Sequence, residues 1–217
     1  MTDVVIDTPA VLFDRIANDI YIQGYSILTN AFPAADTQRL LDHVQSLGDN
    51  AFHIAGTGRQ QEHQLNAKIR RDKIHWLSPT QPVENSWLSY MADLQQYLNR
   101  RLFLGLFSYE SHFSHYEPGD FYRKHMDAFR GQANRILTTV LYLNPDWQPS
   151  DQGELIIFHP DHPDKELLRV APKAGTLVTF LSEEFPHEVV PCQNHRFSIA
   201  GWFRLNSSNA NRADPPR

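Results

Sequence analysis

Between Leu104 and Phe203 the chain is a succession of short β-rich segments broken by turn signals, and few architectures accept that texture. Candidate strands run Leu104 to Tyr116, Phe121 to Asp127, Arg135 to Asn144, Glu154 to Phe158, Glu166 to Val170, Thr176 to Leu181, His187 to Val190 and Phe197 to Phe203. The breaks fall at Glu117-Pro118-Gly119-Asp120, Asn144-Pro145-Asp146 and Pro160-Asp161-His162-Pro163-Asp164. Proline fixes φ in such turns and glycine supplies conformations other residues avoid. The pattern predicts a mainly β fold, a sandwich or jelly roll.

The first hundred residues read differently. Thr8 followed by Pro9 suits a helix start, and Val11, Leu12, Ile16 and Ile20 form a helical stripe ended near Gly24. Tyr25 to Leu28 is a short strand. Pro33 opens a second helix with Leu40, Leu41, Val44 and Leu47 on one face and Gly48 as its stop. Trp87, Leu88, Met91, Leu94, Tyr97, Leu98 and Leu102 recur at helical spacing and mark a third. A polar loop, Gly56 to Lys68, and a strand candidate, Ile69 to Leu77, lie between the second and third helices. Hydrophobic residues make up 41% of 217, enough apolar material for one core, and neither repeats nor a second core are evident. The expected arrangement is a helical and loop region over 1–103, packed on a β domain over 104–205, with a polar, Pro-rich, disordered tail over 206–217.

A formal net charge of -5 without a run of like charges argues against a nucleic-acid or membrane-surface partner. The single cysteine, Cys192, excludes an internal disulfide framework and fits a reducing compartment. Asp3 and Asp7 stand where a signal segment would be apolar. No apolar run approaches the ~20 residues of a membrane span. A soluble cytoplasmic protein is the expectation.

Chemistry concentrates at His125-Met126-Asp127. His-x-Asp alone decides little, because the chain has three copies, at His125, His159 and His162. The latter two sit in a proline-interrupted turn, where the regular pleat that aligns residues i and i+2 is disfavoured. His125 and Asp127 instead end a strand candidate, so both side chains reach one face. His187 opens another strand that a closed sheet can bring alongside. Three such ligands leave the opposite face of an octahedron open, the arrangement of a non-haem iron oxygenase, whereas a structural zinc site closes its shell. Arg196, in an apolar strand, needs a carboxylate partner that nothing nearby in sequence provides, and the far carboxylate of 2-oxoglutarate would serve. His112 and His115 share no face on a strand, so they do not chelate together; His112 could line the pocket on the Tyr116 face.

These residues carry a resemblance. Tyr116-x-x-Gly119-x-x-Tyr122-x-x-His125-x-Asp127 resembles the prolyl 4-hydroxylase branch of the 2-oxoglutarate/Fe(II) dioxygenases. So do Thr138 to Asn144 with Trp147, Pro186-His187-Glu188-Val189, and Arg196 through Trp202. The match is similar above all to the hypoxia-sensing prolyl hydroxylases and their bacterial relatives. Ile69 to Leu77 resembles the strand that follows their mobile finger loop, and the likeness runs from about Gly24 to Arg204.

The resemblance implies a double-stranded β-helix braced by N-terminal helices, with 104–205 as the dioxygenase domain. It implies Fe(II) on His125, Asp127 and His187, with Arg196 pairing the 5-carboxylate of 2-oxoglutarate bidentately. Tyr142 would add a hydrogen bond to that carboxylate, Tyr116 would line the pocket, Trp202 would lie near the metal, and an Asp72–Arg135 pair would tie the post-finger strand to the core. Hydroxylation of a prolyl residue at C4 would consume O2 and 2-oxoglutarate and release succinate and CO2, with ascorbate as reductant. Family substrates include transcription-factor segments, collagen-like repeats and a loop of elongation factor Tu, and a translation component is the favoured protein partner. Two departures stand out: Gln152-Gly153 replaces a frequent Gly-Gly, and the Gly56 to Lys68 loop is this chain's own.

Three alternatives compete. The same chemistry could act on a free amino acid or small metabolite. A nucleic-acid demethylase fits poorly, because the run after Arg196 is Phe197-Ser198-Ile199-Ala200 rather than a second nearby arginine. A non-enzymatic cupin-like binding module would not need an intact triad with Arg196.

Overall fold

The computed structural model describes residues 8–55, 68–128 and 134–206. In chain order the elements are α1 (Pro9–Gln23), β1 (Tyr25–Leu28), α2 (Ala34–Ser46), β2 (His53–Ile54), β3 (Lys73–Trp76), α3 (Pro82–Leu102), β4 (Ser108–Tyr116), β5 (Tyr122–His125), β6 (Arg135–Tyr142), β7 (Leu155–Phe158), β8 (Glu166–Val170), β9 (Leu177–Leu181), β10 (His187–Val189) and β11 (Arg196–Arg204). The strands form a seven-stranded sheet in the order β1-β9-β6-β11-β4-β3-β2 and a four-stranded sheet in the order β5-β10-β7-β8. Strand neighbours within both sheets are antiparallel. This is the expected jelly-roll, double-stranded β-helix architecture.

Residue parity explains how the sheets divide their faces. Because side chains alternate along a strand, odd and even positions of the large sheet serve different cores. Phe113, Leu137, Leu141, Leu177, Ile199 and Phe203 join Ile16, Leu40, Trp87, Met91 and Leu94 of the helices in one apolar cluster. Tyr116, Val140, Tyr142, Val178 and Phe180 face the other way and join Leu155, Ile157 and Val189 of the small sheet. The helices therefore cover one face of the large sheet, and the small sheet covers the other. Tyr116, Tyr142, Arg196 and Trp202 occupy even positions of the large sheet, on the face covered by the small sheet that carries His125 and His187.

Several boundaries differ from the sequence reading, each for a local reason. α3 starts at Pro82 rather than near Trp87. Its first turn is largely polar and gives no apolar period, but Glu84 is buried, accepting from His43 Nε2 (2.7 Å) and the Ser78 backbone N–H (2.6 Å). β4 starts at Ser108 rather than Leu104. Asn99 takes up both backbone groups of Leu106, accepting from its N–H at 2.7 Å and donating to its carbonyl at 2.8 Å. The Ile69–Leu77 strand shrinks to Lys73–Trp76, with Arg70 in an isolated bridge to Tyr122. The two-residue β2 lies outside the expected strands; among the described residues it pairs with β3. The polar loop falls mostly on 56–67 and the tail on 207–217, outside the described residues. Among the described residues no helix is long and apolar enough to cross a membrane.

Candidate metal centre and co-substrate pocket

The small sheet brings the two histidines together. β10 pairs antiparallel with β5, and His187 stands opposite His125 in the register. Asp127 lies two residues past the end of β5, in the bend that follows it. One ligand atom from each of His125, Asp127 and His187 lies within 4.8 Å of the others. His125 Nε2 is 3.7 Å from Asp127 Oδ1, and His187 Nε2 is 3.5 Å from Asp127 Oδ2.

The imidazoles are turned so that the same nitrogen of each faces inward. His125 Nδ1 lies 2.8 Å from the Arg123 carbonyl and His187 Nδ1 lies 3.0 Å from the Phe185 carbonyl. A carbonyl oxygen only accepts, so each Nδ1 carries the proton and donates. That fixes the tautomer and leaves both Nε2 lone pairs free, as metal ligation requires. Tyr122 stacks on the His125 ring (centroids 3.5 Å apart, 14° between planes), with the Arg70 guanidinium over the Tyr122 ring at 4.6 Å. Phe180 packs edge-on against His187 at 4.8 Å. Burial pushes His187 down to about 4, with His125 beside it acting in the same direction. Burial pushes the Asp127 carboxyl up, but the neighbouring imidazoles of His187 and His125 hold it well below the ordinary carboxylate range. The cluster thus offers two imidazole nitrogens and one carboxylate as ligand groups.

At the other end of the even-numbered face lies Arg196, 1% exposed. Its Nε donates to the Gly153 carbonyl at 2.9 Å and its Nη1 to Ser198 Oγ at 3.3 Å. Its guanidinium sits 4.8 Å from the Tyr116 ring centroid and 5.1 Å from that of Tyr142. No carboxylate pairs with it among the described residues. Among the described residues the buried Tyr142 hydroxyl lacks a well-formed hydrogen bond, and burial raises this phenol to about 12 although Arg196 beside it pulls the other way. A desolvated cation without a counter-ion beside an orphaned hydroxyl is costly unless a ligand completes it. The wall between the two ends is apolar, formed by Val140, Val178 and Phe180. The residues therefore fit a divalent metal at one end and a carboxylate-bearing co-substrate reaching the other.

The remaining site expectations divide. Tyr116 is buried on the same face, its phenol raised well above 10 by burial. Trp202 is on that face too, its indole Nε1 unpartnered among the described residues, with the Arg135 guanidinium 3.7 Å above its ring and His112 at 5.4 Å. His112 does face the Tyr116 side, but it is packed between Trp76 and Trp202 and is not part of the ligand cluster. Burial lowers it to about 3.

The Asp72–Arg135 pair does not form. Asp72, fully buried, receives both Nε (2.5 Å) and Nη2 (2.8 Å) of Arg70. Arg135 turns to Glu110 instead, at 2.8 Å. Each acid takes the arginine its strand delivers. Arg70 is two residues from Asp72, while Glu110 stands opposite Trp202, over which Arg135 lies. The Arg70 contact to Tyr122 escaped the sequence reading, since only the isolated Arg70–Tyr122 bridge brings them together.

Gln152 adopts φ +53°, ψ -147°, and Gly153 follows at φ +73°. A Cβ on Gly153 would lie 2.7 Å from Cys192 Cβ and 3.2 Å from Arg196 Cδ, so the glycine is required where the arginine is seated.

The profile of the 2OG-Fe(II) oxygenase superfamily matches residues 111–204. A crystal structure of a Pseudomonas putida prolyl-4-hydroxylase is 36% identical, with a TM-score of 0.81 over 89% of this chain and 99% of that one. A prolyl hydroxylase from Trichoplax adhaerens, solved with a hypoxia inducible factor peptide fragment, shares the fold at 24% identity, with a TM-score of 0.76 over 90% of each chain. Egl nine homolog 1 from Homo sapiens is 27% identical over 175 residues, 76% of this chain but 40% of that protein. The chain thus spans less than half of that relative.

Proposed function

We propose that this chain, which belongs to the 2OG-Fe(II) oxygenase superfamily, hydroxylates C4 of a prolyl residue in a protein substrate. The balance is one O2 and one 2-oxoglutarate per turnover. The C1–C2 bond of 2-oxoglutarate breaks to release CO2, one oxygen atom enters succinate, and the other replaces the C4–H bond of proline with C4–OH. Fe(II), held by His125, Asp127 and His187, supplies the redox chemistry.

The chain's own side chains bind, orient and exclude water. Arg196 holds the 5-carboxylate of 2-oxoglutarate, and Tyr142 donates its otherwise unused hydroxyl proton to it. Tyr116 flanks the arginine, and Trp202 closes the even-numbered face nearer the metal. Val140, Val178 and Phe180 keep the space between dry, which strengthens the salt bridge. The observation that carries this reading is the buried Arg196 without a carboxylate, on the face shared with the His-Asp-His cluster. Identity of 36% across nearly the whole of a prolyl-4-hydroxylase supports proline as the target.

The reading extends, by analogy, to a cytoplasmic translation component as the protein substrate and to ascorbate as the agent that returns oxidised iron to Fe(II). Residues 104–205 carry the chemistry, and 1–103 brace and border it. Purified protein with Fe(II) and 2-oxoglutarate, incubated with a cell lysate, is expected to add 16 Da to a specific proline, and the H125A variant to leave it unmodified. Mass spectrometry that finds no His125-dependent proline oxidation, together with 2-oxoglutarate turnover stimulated by a free amino acid, overturns the protein-substrate assignment.

A further inference from the structure

Asp127 is the one anionic donor of the cluster, and its second carboxylate oxygen has to be satisfied in a nearly water-free place. Thr138 Oγ1 lies 2.8 Å from Asp127 Oδ2 and 2.9 Å from Ser182 Oγ. Thr138 and Ser182 are both buried, Ser182 completely. The direction of this chain follows from donor counting. An ionised carboxylate only accepts, so the single Thr138 hydroxyl proton goes to Asp127. Thr138 has then no proton left for Ser182, so Ser182 donates to Thr138. The result is a one-way relay, Ser182 to Thr138 to Asp127.

Its parts are fixed by the fold. Thr138 stands on β6 between Phe180 of β9 and Trp202 of β11, on the even-numbered face. Its β-branched side chain has few rotamers, so the hydroxyl direction is set by the strand. Ser182 follows β9 directly and is anchored by its N–H to the Ile136 carbonyl at 2.9 Å. Asp127, by contrast, lies in a bend outside β5, and its χ angles need holding from elsewhere. Both oxygens border the cluster, Oδ1 at 3.7 Å from His125 Nε2 and Oδ2 at 3.5 Å from His187 Nε2, but among the described residues no hydroxyl donates to Oδ1.

We propose that Thr138, backed by Ser182, is a positioning residue for the metal: it occupies Asp127 Oδ2 and presents Oδ1 as the ligand oxygen. This rests on the metal reading of the triad. Groups that orient a ligating carboxylate change metal affinity by ~10–100-fold when removed.

The test is Mn(II) binding, followed by calorimetry and by the electron paramagnetic resonance signal of the bound ion, on the full chain. T138V, which keeps the volume and removes the hydroxyl, is expected to weaken Mn(II) binding at least ~10-fold. T138S, which keeps the hydroxyl, should bind within a few-fold of the parent, and S182A should fall between the two. Affinity in T138V equal to the parent overturns the relay. Should T138V fail to fold by circular dichroism, S182A decides, because it leaves Thr138 in place: parent-like affinity and an unchanged Mn(II) spectrum in S182A also overturn it. D127A serves as the separate control. If D127A binds Mn(II) as tightly as the parent, the metal reading itself is wrong, whatever Thr138 does.

Discussion

The two ends of the pocket are built on opposite plans. At the metal end the three ligand residues are already held by the protein: both imidazole Nδ1 atoms donate to carbonyls, and Asp127 Oδ2 accepts from Thr138. At the arginine end the protein stops short. Among the described residues Arg196 is buried without an anion, and the Tyr142 hydroxyl lacks a well-formed hydrogen bond. The metal end is organised before any ligand arrives, so an ion gains little by rearrangement. The arginine end stores unsatisfied electrostatics that only a carboxylate relieves, which turns ligand binding into a large local gain. Specificity for a dicarboxylate-like co-substrate follows from that asymmetry.

The widest break between the ends is expected from R196M, which keeps the apolar stem and removes the charge. Truncating one member of a desolvated charge pair costs about 2–5 kcal/mol in binding, so the KM for 2-oxoglutarate should rise by at least ~30-fold. Mn(II) affinity in the absence of co-substrate should stay within a few-fold of the parent. Calorimetry that shows both affinities falling together would mean that the ends are not separable.

Histidine offers a second contrast on the same wall. His112 is as dry as His187 but lies away from the ligand cluster, and burial takes it from an ordinary 6.5 to about 3. A folded value below the unfolded one means that the unfolded chain binds the extra proton. Its contribution is therefore fully present above about 6.5 and is lost as pH falls towards 3. Between pH 7 and pH 5 this group alone should cost about 2 kcal/mol of stability. Urea unfolding at the two pH values, compared with H112Q, checks the figure: the variant should lose less stability on acidification by about that amount. Equal losses in the two proteins would show that His112 is not the group responsible.

What the sequence made legible follows the same division. The meeting of His125, Asp127 and His187 was legible because strand alternation and chain order are both local rules, and His125 and His187 needed only one strand pairing to come together. Arg196 could be read because a charge in an apolar strand demands a partner. The Asp72–Arg135 pairing failed because two arginines and two acids allow two matchings, and side-chain reach chose Arg70 for Asp72 and Glu110 for Arg135. The Thr138–Ser182 contact joins residues 44 apart and leaves no periodic trace. The first turn of α3 was invisible for a related reason: it is held by a buried carboxylate rather than by apolar spacing. Periodicity reports on burial against an apolar core, and polar anchors lie outside its reach.

A smaller effect separates binding from stability at the arginine end. In Y142F the orphaned hydroxyl disappears, so the ligand-free protein should gain on the order of 1 kcal/mol. The same change removes a donor to the co-substrate carboxylate, and the KM for 2-oxoglutarate should rise several-fold. Thermal melts without ligand and steady-state kinetics read the two signs. A loss of stability in the ligand-free variant would mean that the hydroxyl is already satisfied there, and the asymmetry between the ends would narrow.

The least of these effects concerns the frame that seats Arg196. Gln152 holds φ +53° with ψ -147°, a region that side-chain-bearing residues occupy at a cost of order 1–3 kcal/mol. It is fixed there by Trp147 Nε1 donating to its carbonyl at 2.9 Å and by a bridge to Cys192. The Gly153 carbonyl that follows is the acceptor for Arg196 Nε. Strain thus accumulates at the end that awaits a ligand. Q152G should relieve it, less the entropy that glycine adds to the unfolded chain and the long 3.3 Å contact from Gln193. The net expectation is a gain of about 1 kcal/mol in urea unfolding, with Mn(II) affinity unchanged. A loss of that size would show that the backbone at 152 is held without strain, and that the arginine end carries only electrostatic and not conformational tension.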